Sequence, residues 1–198
     1  MVIGELCGRD SQGNVLNVDH RLYADPKVYE AELEKIFHSG WVLVGLEVEV
    51  PNPGDYTTTW LADIPVIVCR DETGKLRVLE NVCAHRGAIV IRGQGNRKAF
   101  TCIYHQWTYT LQGDLKALPM EEGYRAERFC KSDYRLRQFP RVESFCGLIF
   151  AASDPRVPSL KEYFGPVGDT SGRCVCRCSP GGSSRSPSAW DRARRRPR

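Results

Sequence analysis

Two short motifs hold the side chains of this chain that are best suited to bind metal. The first reads Cys83-Ala84-His85, and the second reads Cys102-Ile103-Tyr104-His105 after an interval of sixteen residues. Two thiolates and two imidazoles are able to hold a tetrahedral zinc ion. They are also able to hold a two-iron cluster in which two Cys bind one iron and two His bind the other. The motifs therefore indicate a metal centre, and their spacing bears on which metal they bind.

The spacing within each motif separates these interpretations. The ligands of C-x-H and C-x-x-H lie too close in sequence to occupy adjacent turns of a helix, so each motif is expected on a loop. Zinc fingers commonly place two Cys in one half and two His in the other, whereas each half is mixed in this chain. Mixed halves favour the two-iron cluster, because each loop then reaches both irons. The alternatives are zinc, and four unrelated side chains that line a core or a loop.

The residues around the motifs resemble the Rieske domain of the large (alpha) subunit of aromatic-ring-hydroxylating oxygenases. Three stretches carry the resemblance: Cys83-Ala84-His85-Arg86-Gly87-Ala88, Cys102-Ile103-Tyr104-His105-Gln106-Trp107-Thr108-Tyr109 and Gly113-Asp114-Leu115. The resemblance extends from Tyr23 to Pro166. Within the family, the chain most resembles the benzoate, anthranilate and salicylate group. Ile103 stands where the family usually has Pro, a departure that removes no ligand.

The resemblance implies a [2Fe–2S] Rieske cluster with two protein ligands on each iron: Cys83 and Cys102 on one, His85 and His105 on the other. It also implies that Trp107 packs beside the cluster and that Arg86 supports its loop. Imidazoles in place of thiolates leave the cluster less negative, which favours reduction. Such centres have potentials of roughly −150 to +300 mV, far above those of all-Cys ferredoxins.

The resemblance further implies an oxidoreductase of aromatic hydrocarbon catabolism. In the family, a reductase or ferredoxin supplies single electrons to the cluster, and these pass on to a mononuclear non-haem iron that hydroxylates the ring. That Fe(II) needs two His and one carboxylate, but only His20 and His38 remain, and both lie upstream of the motifs. No catalytic residue is therefore assigned. We expect this chain to accept electrons without hydroxylating a ring, in a family whose members assemble as homotrimers with a small beta subunit.

Two other functions use the same four side chains. A self-standing Rieske-type ferredoxin would have identical chemistry, but the helix expected before the motifs resembles the oxygenase subunit more than a minimal ferredoxin. A zinc-binding interaction module would be colourless, whereas a Rieske cluster absorbs visible light.

The pattern along the chain predicts a mainly β, antiparallel fold with an N-terminal brace helix. Asp25-Pro26 is a helix start and Gly40 a helix stop. From Trp41 the apolar period changes to two, and strands without alternating helices favour antiparallel sheets. Both ligand motifs then fall at strand ends. The expected strands are 41–50, 55–60, 65–70, 75–80, 98–101, 107–111, 134–136, 141–145 and 148–151.

The chain divides into four expected segments: a lead-in and brace helix (1–40), the Rieske domain (41–152), the start of a truncated catalytic region (153–168) and a basic tail (169–198). The tail holds eight Arg and two Asp, a net charge of +6, which leaves −2 for the first 168 residues. It is too poor in apolar residues to offset chain entropy, so disorder is expected. The abrupt change near Val167 indicates a shifted reading frame. A genuine basic arm, or a metal tract at Cys174, Cys176 and Cys178, is the alternative.

The composition argues against several classes of protein. No run of eighteen apolar residues predicts a membrane span, and residues 1–10 lack the apolar segment of a secretory signal. The near-neutral charge of the first 168 residues gives no reason to expect nucleic acid. Nine Cys, an odd number, argue against complete disulfide pairing and favour free thiols in a reducing cytoplasm.

Overall fold

A computed structural model describes residues 6–124 and 128–168, and the basic tail that we expect to be disordered lies outside this range. The described part is mainly β, as predicted, with antiparallel pairing in every sheet. Its strands are β1 (Cys7–Arg9), β2 (Val15–Val18), β3 (Val42–Leu46), β4 (Asp55–Leu61), β5 (Ile64–Arg70), β6 (Leu76–Glu80), β7 (Gln94–Asn96), β8 (Phe100–Thr101), β9 (Thr108–Tyr109), β10 (Leu115–Ala117), β11 (Arg141–Phe145) and β12 (Leu148–Ala152).

The largest sheet has the strand order β6-β5-β4-β7. The strands β4, β5 and β6 form where the sequence predicts them, and β5 buries four consecutive residues, Val66 to Cys69. A continuous apolar run of this kind is typical of a central strand covered on both faces. One face contributes to a core with Leu61 and Ile149, and the other contributes to the core that contains the metal motifs. The sheet therefore links the two halves of the domain.

The turn between β5 and β6 is fixed by a buried carboxylate, Asp71. Its side chain accepts hydrogen bonds from Thr73 and from the backbone of Lys75, and it pairs with Arg77 at 2.9 Å. Burial alone would raise the pKa of Asp71, but the hydrogen bonds from Thr73 and Arg77 outweigh it and hold the pKa below its usual value. The predicted hairpin at Asp71-Glu72-Thr73-Gly74 is confirmed, and β6 is thereby aimed at the first metal motif.

Two smaller sheets complete the domain, with strand orders β10-β9-β8 and β11-β12-β3. The strand β3 ends at Leu46 and passes into a 3₁₀ turn over Glu47–Glu49, so the expected strand to Val50 is too long. No strand forms at 134–136, where a 3₁₀ turn (Lys131–Tyr134) leads into extended backbone. The strands β7 and β10 were not predicted, because each is three residues long and contains or adjoins glycine or lysine.

The N-terminal segment differs most from the expectation. The lead-in contains the hairpin β1–β2 and the short helix α1 (Arg21–Ala24), where irregular backbone was expected. The brace begins as predicted, because Asp25 caps α2 (Pro26–Glu32) by accepting from the Lys27 amide. It continues as a π-helix over Leu33–Phe37.

The π-helix changes which side chains of the brace are buried. Its wider turn rotates the following residues relative to an α-helix, so Ile36 is exposed although the α-helical period places it on the apolar face. The next residue but one, His38, pairs with Asp63 in the β4–β5 turn at 2.8 Å. That hydrogen bond ties the end of the brace to the largest sheet.

A short helix, α3 (Leu160–Phe164), closes the described chain on the β11-β12-β3 sheet. It starts at a capping box between Ser159 and Glu162 and buries Leu160 against Trp41 and Ala152. A helix beginning at Leu160 is what the sequence predicts. None of the helices in the described residues is long and apolar enough to cross a membrane.

Candidate metal centre

Each metal motif lies on a loop whose two ends are paired with each other. Loop 1 (residues 83–88) is flanked by a bridge between Val82 and Ile89, and loop 2 (residues 102–107) is flanked by the pairing of Thr101 with Thr108. Both motifs therefore fall where strands end, as predicted. A loop held at its base by paired strands presents its side chains in a fixed position while remaining reachable from solvent.

The two loops are closed by the same pair of backbone hydrogen bonds. In loop 1 the Cys83 amide donates to the Ala88 carbonyl, and the Gly87 amide donates to the Cys83 carbonyl. In loop 2 the Cys102 amide donates to Trp107, and the Gln106 amide donates to Cys102. The cysteine thus occupies the first position of both loops. The histidine comes two residues later in loop 1 and three residues later in loop 2.

Both closures need left-handed backbone at the fifth position of the loop. Gly87 has φ +73° and Gln106 has φ +59°. Glycine adopts this conformation freely, whereas a residue with a Cβ is strained there by roughly 1–2 kcal/mol. The strain at Gln106 persists because the rest of loop 2 fixes the turn, and strained backbone of this kind is concentrated at functional sites.

The two histidines face each other across the loops. The rings of His85 and His105 have centroids 4.7 Å apart and an interplanar angle of 73°. The Nδ1 atom of His85 is buried and has no hydrogen-bond partner. Burial, together with the nearby His105 and Arg86, lowers the pKa of His85, which favours the neutral imidazole that binds metals. An unpaired buried nitrogen is costly, and a metal ion would satisfy it.

The two thiols lie in one buried core. Cys102 is fully buried, Cys83 is nearly so, and both belong to the core that also contains Phe100 and Tyr109. The Tyr109 hydroxyl lies 3.2 Å from the Cys83 Sγ and accepts a hydrogen bond from the Ala84 amide. Because that oxygen is already an acceptor, its own hydrogen is free to point at the sulfur. Burial, followed by the contact with Cys83, raises the pKa of Tyr109, so the hydroxyl keeps this proton.

The donor set fits a two-iron cluster. In a Rieske centre each iron takes only two protein ligands, and sulfide bridges complete its coordination. Two buried thiols and two facing imidazoles, one of which has an unsatisfied buried nitrogen, match that requirement.

Trp107 and Arg86 belong to the loops, and each contacts a ring of the other loop. The Trp107 indole is 2% exposed and stacks on the His85 ring, with centroids 4.7 Å apart and planes 9° from parallel. The Arg86 guanidinium lies 5.8 Å from the ring centroid of Tyr104, which in turn contacts His105. Trp107 thus holds an imidazole in place, and Arg86 connects loop 1 to loop 2 by a cation–π contact.

Sequence reasoning missed one residue at the base of loop 1, Asn81. It is buried, its side-chain oxygen accepts from the amides of Val90 and Ile91, and its amide group donates to the Ile91 carbonyl. These bonds fix the chain as it leaves loop 1. A single asparagine carries no spacing signal, and only the bond pattern reveals its role.

The remaining histidines and cysteines that the structure describes are not part of either loop. His20 is exposed in the N-terminal segment, and His38 pairs with Asp63. Cys69 is buried but directs its Sγ at the Leu111 carbonyl, and burial raises its pKa to about 12. Six described cysteines, including the two in the loops, form no disulfide.

An antiparallel β domain with two equivalent Cys- and His-bearing loops belongs to the iron–sulfur class of electron-transfer folds. The chain belongs to the Rieske [2Fe–2S] domain family, whose sequence model matches residues 40–140. It is 42% identical over 153 residues to biphenyl 2,3-dioxygenase subunit alpha of Rhodococcus jostii (strain RHA1), a match that covers 75% of this chain and 32% of that protein.

Solved structures show the same likeness. Naphthalene 1,2-dioxygenase from Rhodococcus sp., bound to indole, is similar with a TM-score of 0.69 and 38% identity over 75% of this chain and 36% of that one. A quaternary ammonium Rieske monooxygenase in complex with an inhibitor is similar with a TM-score of 0.71 and 27% identity over 77% of this chain and 42% of that one. Relatives of both kinds contain the fold, so the fold alone does not select the substrate.

The chain spans about a third of the length of the curated relatives it matches. Their names describe alpha subunits or oxygenase components of dioxygenases for biphenyl, naphthalene, chlorobenzene and benzene. These are components of larger systems that act on aromatic rings. The narrower likeness to the benzoate, anthranilate and salicylate group stays a prediction.

Proposed function

We propose that Cys83, His85, Cys102 and His105 bind the [2Fe–2S] cluster and that the domain carries single electrons within a ring-hydroxylating oxygenase. One observation carries this proposal. Two loops with identical closure bring two imidazoles to 4.7 Å and bury two thiols in one core. A Rieske cluster supplies reversible one-electron chemistry at a potential within reach of biological donors.

The residues around the loops have separate tasks in this proposal. Trp107 covers one face of His85 and keeps water from it. The Tyr109 hydroxyl donates to the Cys83 sulfur and so stabilises the extra negative charge of the reduced state. Asn81 and the loop closures keep both loops rigid, which lowers the reorganisation that accompanies electron transfer.

The surrounding system is also proposed from the relatives. Electrons would come from a reductase or ferredoxin and go to a mononuclear Fe(II) that hydroxylates an aromatic ring. The alpha subunit would assemble as a homotrimer with a small beta subunit in the cytoplasm. The four-part division of the chain, with the Rieske domain at 41–152, belongs to the same proposal. The brace tied to the sheet by His38 and Asp63 supports an oxygenase subunit over a stand-alone ferredoxin.

The proposal is tested by metal analysis and EPR of the chain reconstituted without oxygen. We expect two irons and two sulfides per chain, visible absorption, and after dithionite reduction a one-electron EPR signal of the mixed His and Cys type. Zinc in a colourless protein would establish the interaction module instead. Iron with the signal of an all-thiolate cluster would refute the assignment of the two histidines.

Tyr109→Phe is expected to lower the reduction potential of the cluster by on the order of 50 mV, because it removes one hydrogen bond to a ligand sulfur. The sign follows from charge, since the bond stabilises the more negative reduced state. Spectroscopic redox titration measures the shift. Tyr56→Phe is the matched control, because Tyr56 is buried in the same core but contacts the Phe100 ring. Equal potentials for parent and Tyr109→Phe would remove this role.

A further inference from the structure

The stretch that carries the loops has an unusual charge pattern. Between Glu80 and Asp114 the chain contains no acidic residue, although it contains four basic ones: Arg86, Arg92, Arg97 and Lys98. All four are exposed. The first 168 residues carry a net charge of −2, so this stretch stands out from a slightly acidic protein.

These cations also lack partners. Within the described part of the chain, none of the four forms an ion pair, and Arg86 has only its contact with the Tyr104 ring. Most other described arginines are paired with carboxylates: Arg21, Arg70, Arg77, Arg135, Arg137, Arg141 and Arg156. No carboxylate neutralises the four cations of this stretch in the described structure, and the stretch supplies none of its own.

Two of the cations line a groove that runs to loop 2. The groove has a volume of about 360 Å³ and is bordered by Arg92 and Arg97, by the apolar side chains of Ile89 and Ile91, and by Ile103. Ile103 is 83% exposed and lies between the proposed ligands Cys102 and His105. The groove thus has an apolar floor, a basic border and one wall made by a ligand loop.

We infer that this groove, the basic groove, docks an electron-donor protein that presents carboxylates around its own redox centre. The inference rests on the proposed function, since it names the chemistry of that function's partner. Complementary charge steers such partners together. A protein fits better than a small anion, because Arg92 and Arg97 are exposed and border apolar surface, and no buried charged side chain lines the groove.

The position of the groove suits its use for electron entry. A donor seated on Ile103 lies against the loop that carries Cys102 and His105, so that a short path leads from its surface to the ligands. Small interfaces with an apolar centre and a charged border are typical of transient redox complexes. Such a complex forms quickly and separates after one electron has passed.

Reduction by a plant-type [2Fe–2S] ferredoxin, an acidic one-electron donor, tests the inference. The reduced ferredoxin loses one electron and the Rieske cluster gains it, and the potentials favour this direction. In stopped-flow measurements we expect the second-order rate constant of the parent to fall about tenfold or more between low and high salt. Arg92→Gln/Arg97→Gln should be about tenfold slower than the parent at low salt, with a flatter salt dependence.

Lys27→Gln/Lys35→Gln provides the matched control. It removes the same two charges from exposed positions on the brace, away from the groove. We expect it to react within about twofold of the parent, since steering depends on local charge. An equal slowing in the control would show that only net charge matters and would overturn the inference.

A binding measurement separates docking from electron transfer. Calorimetry with oxidised ferredoxin should show that Arg92→Gln/Arg97→Gln weakens affinity about tenfold, while the control retains the parent value. Visible spectra and dithionite reduction should be the same in all three proteins. A parent without a cluster would refute the proposed function, whereas loaded variants with unchanged ferredoxin affinity and rate would refute the docking site alone. Duplex DNA binding that depends on Arg92 and Arg97, with ferredoxin unaffected, would also overturn it.

Discussion

Replacing any one of the four proposed ligands by Ala is expected to leave the purified protein almost colourless. The variants are Cys83→Ala, His85→Ala, Cys102→Ala and His105→Ala. In the proposed centre each iron has two protein ligands, so a single loss would leave one iron held by one side chain and open it to water. We expect iron and sulfide to fall to about a tenth of the parent content or less. Metal analysis and visible absorption after identical anaerobic reconstitution measure the loss.

The chain offers controls of the same residue types. Cys69→Ala removes a fully buried thiol from the same core, and Cys130→Ala removes an exposed one. His20→Ala removes an exposed imidazole. All three should keep the parent's iron content, although Cys69→Ala should also lower the free energy of unfolding by about 1–2 kcal/mol because it leaves a small cavity.

Comparing the iron content of the four variants identifies the type of cluster as well as its ligands. Loss of iron in the two Cys variants with full retention in both His variants would contradict a mixed cluster. Retention in all four would remove the assignment. Circular dichroism of each variant is needed beside the metal analysis, because metal binding and folding are coupled. A variant that keeps the β spectrum of the parent while losing iron has lost a ligand and not its fold.

The sequence suffices to propose the four ligands and to predict their placement on loops, because both inferences depend on short-range features. Ligand type and spacing are local, and the strands β5 and β6 follow from alternation around the hairpin signal at residues 71–74. The identical closure of the two loops was not predictable. It depends on hydrogen bonds between Cys and residues four and five positions later, which no residue type requires. Gln106 even opposes it, because glutamine disfavours φ +59°.

The parts of the fold that the sequence missed share a cause. The hairpin β1–β2 has strands of three and four residues, too short to show a period. Its turn is held by Asp10, which accepts from the amides of Gln12 and Asn14. The π-helix at 33–37 has no compositional mark at all. In both places the apolar period that the prediction relies on is absent or misleading.

Within the site, the role proposed for Tyr109 could not be predicted from the sequence either. In the sequence it is one of eight tyrosines and most simply a packing residue. Its role near Cys83 depends on a 3.2 Å contact between residues 26 positions apart. Long-range contacts of this kind set the potential of a redox centre, so the sequence predicts that a cluster is present better than it predicts how easily the cluster is reduced.

The second large effect is expected at Trp107, whose indole is buried in the core and also covers one face of His85. It is 2% exposed, stacks on His85, and makes edge contacts with Phe129 and Tyr134. Trp107→Ala should lower the free energy of unfolding by about 3–5 kcal/mol, because it leaves a large cavity. Urea unfolding of the loaded protein measures this loss. Trp60→Ala is the control, since Trp60 is 61% exposed and its loss should cost less than about 1 kcal/mol.

A second measurement decides whether Trp107 also shields the cluster. Without the indole, the cleft of about 320 Å³ that His85, His105 and Tyr124 line would extend to the face of His85 that the indole covers in the parent. Water and oxygen would reach that face of the proposed ligand. We expect the visible absorption of Trp107→Ala to bleach in air about tenfold faster than that of the parent under conditions where both are folded. Trp107→Phe keeps a ring against His85 and should bleach more slowly than Trp107→Ala. Equal bleaching rates in all three proteins would refute the shielding role, because Trp107 would then contribute to stability alone.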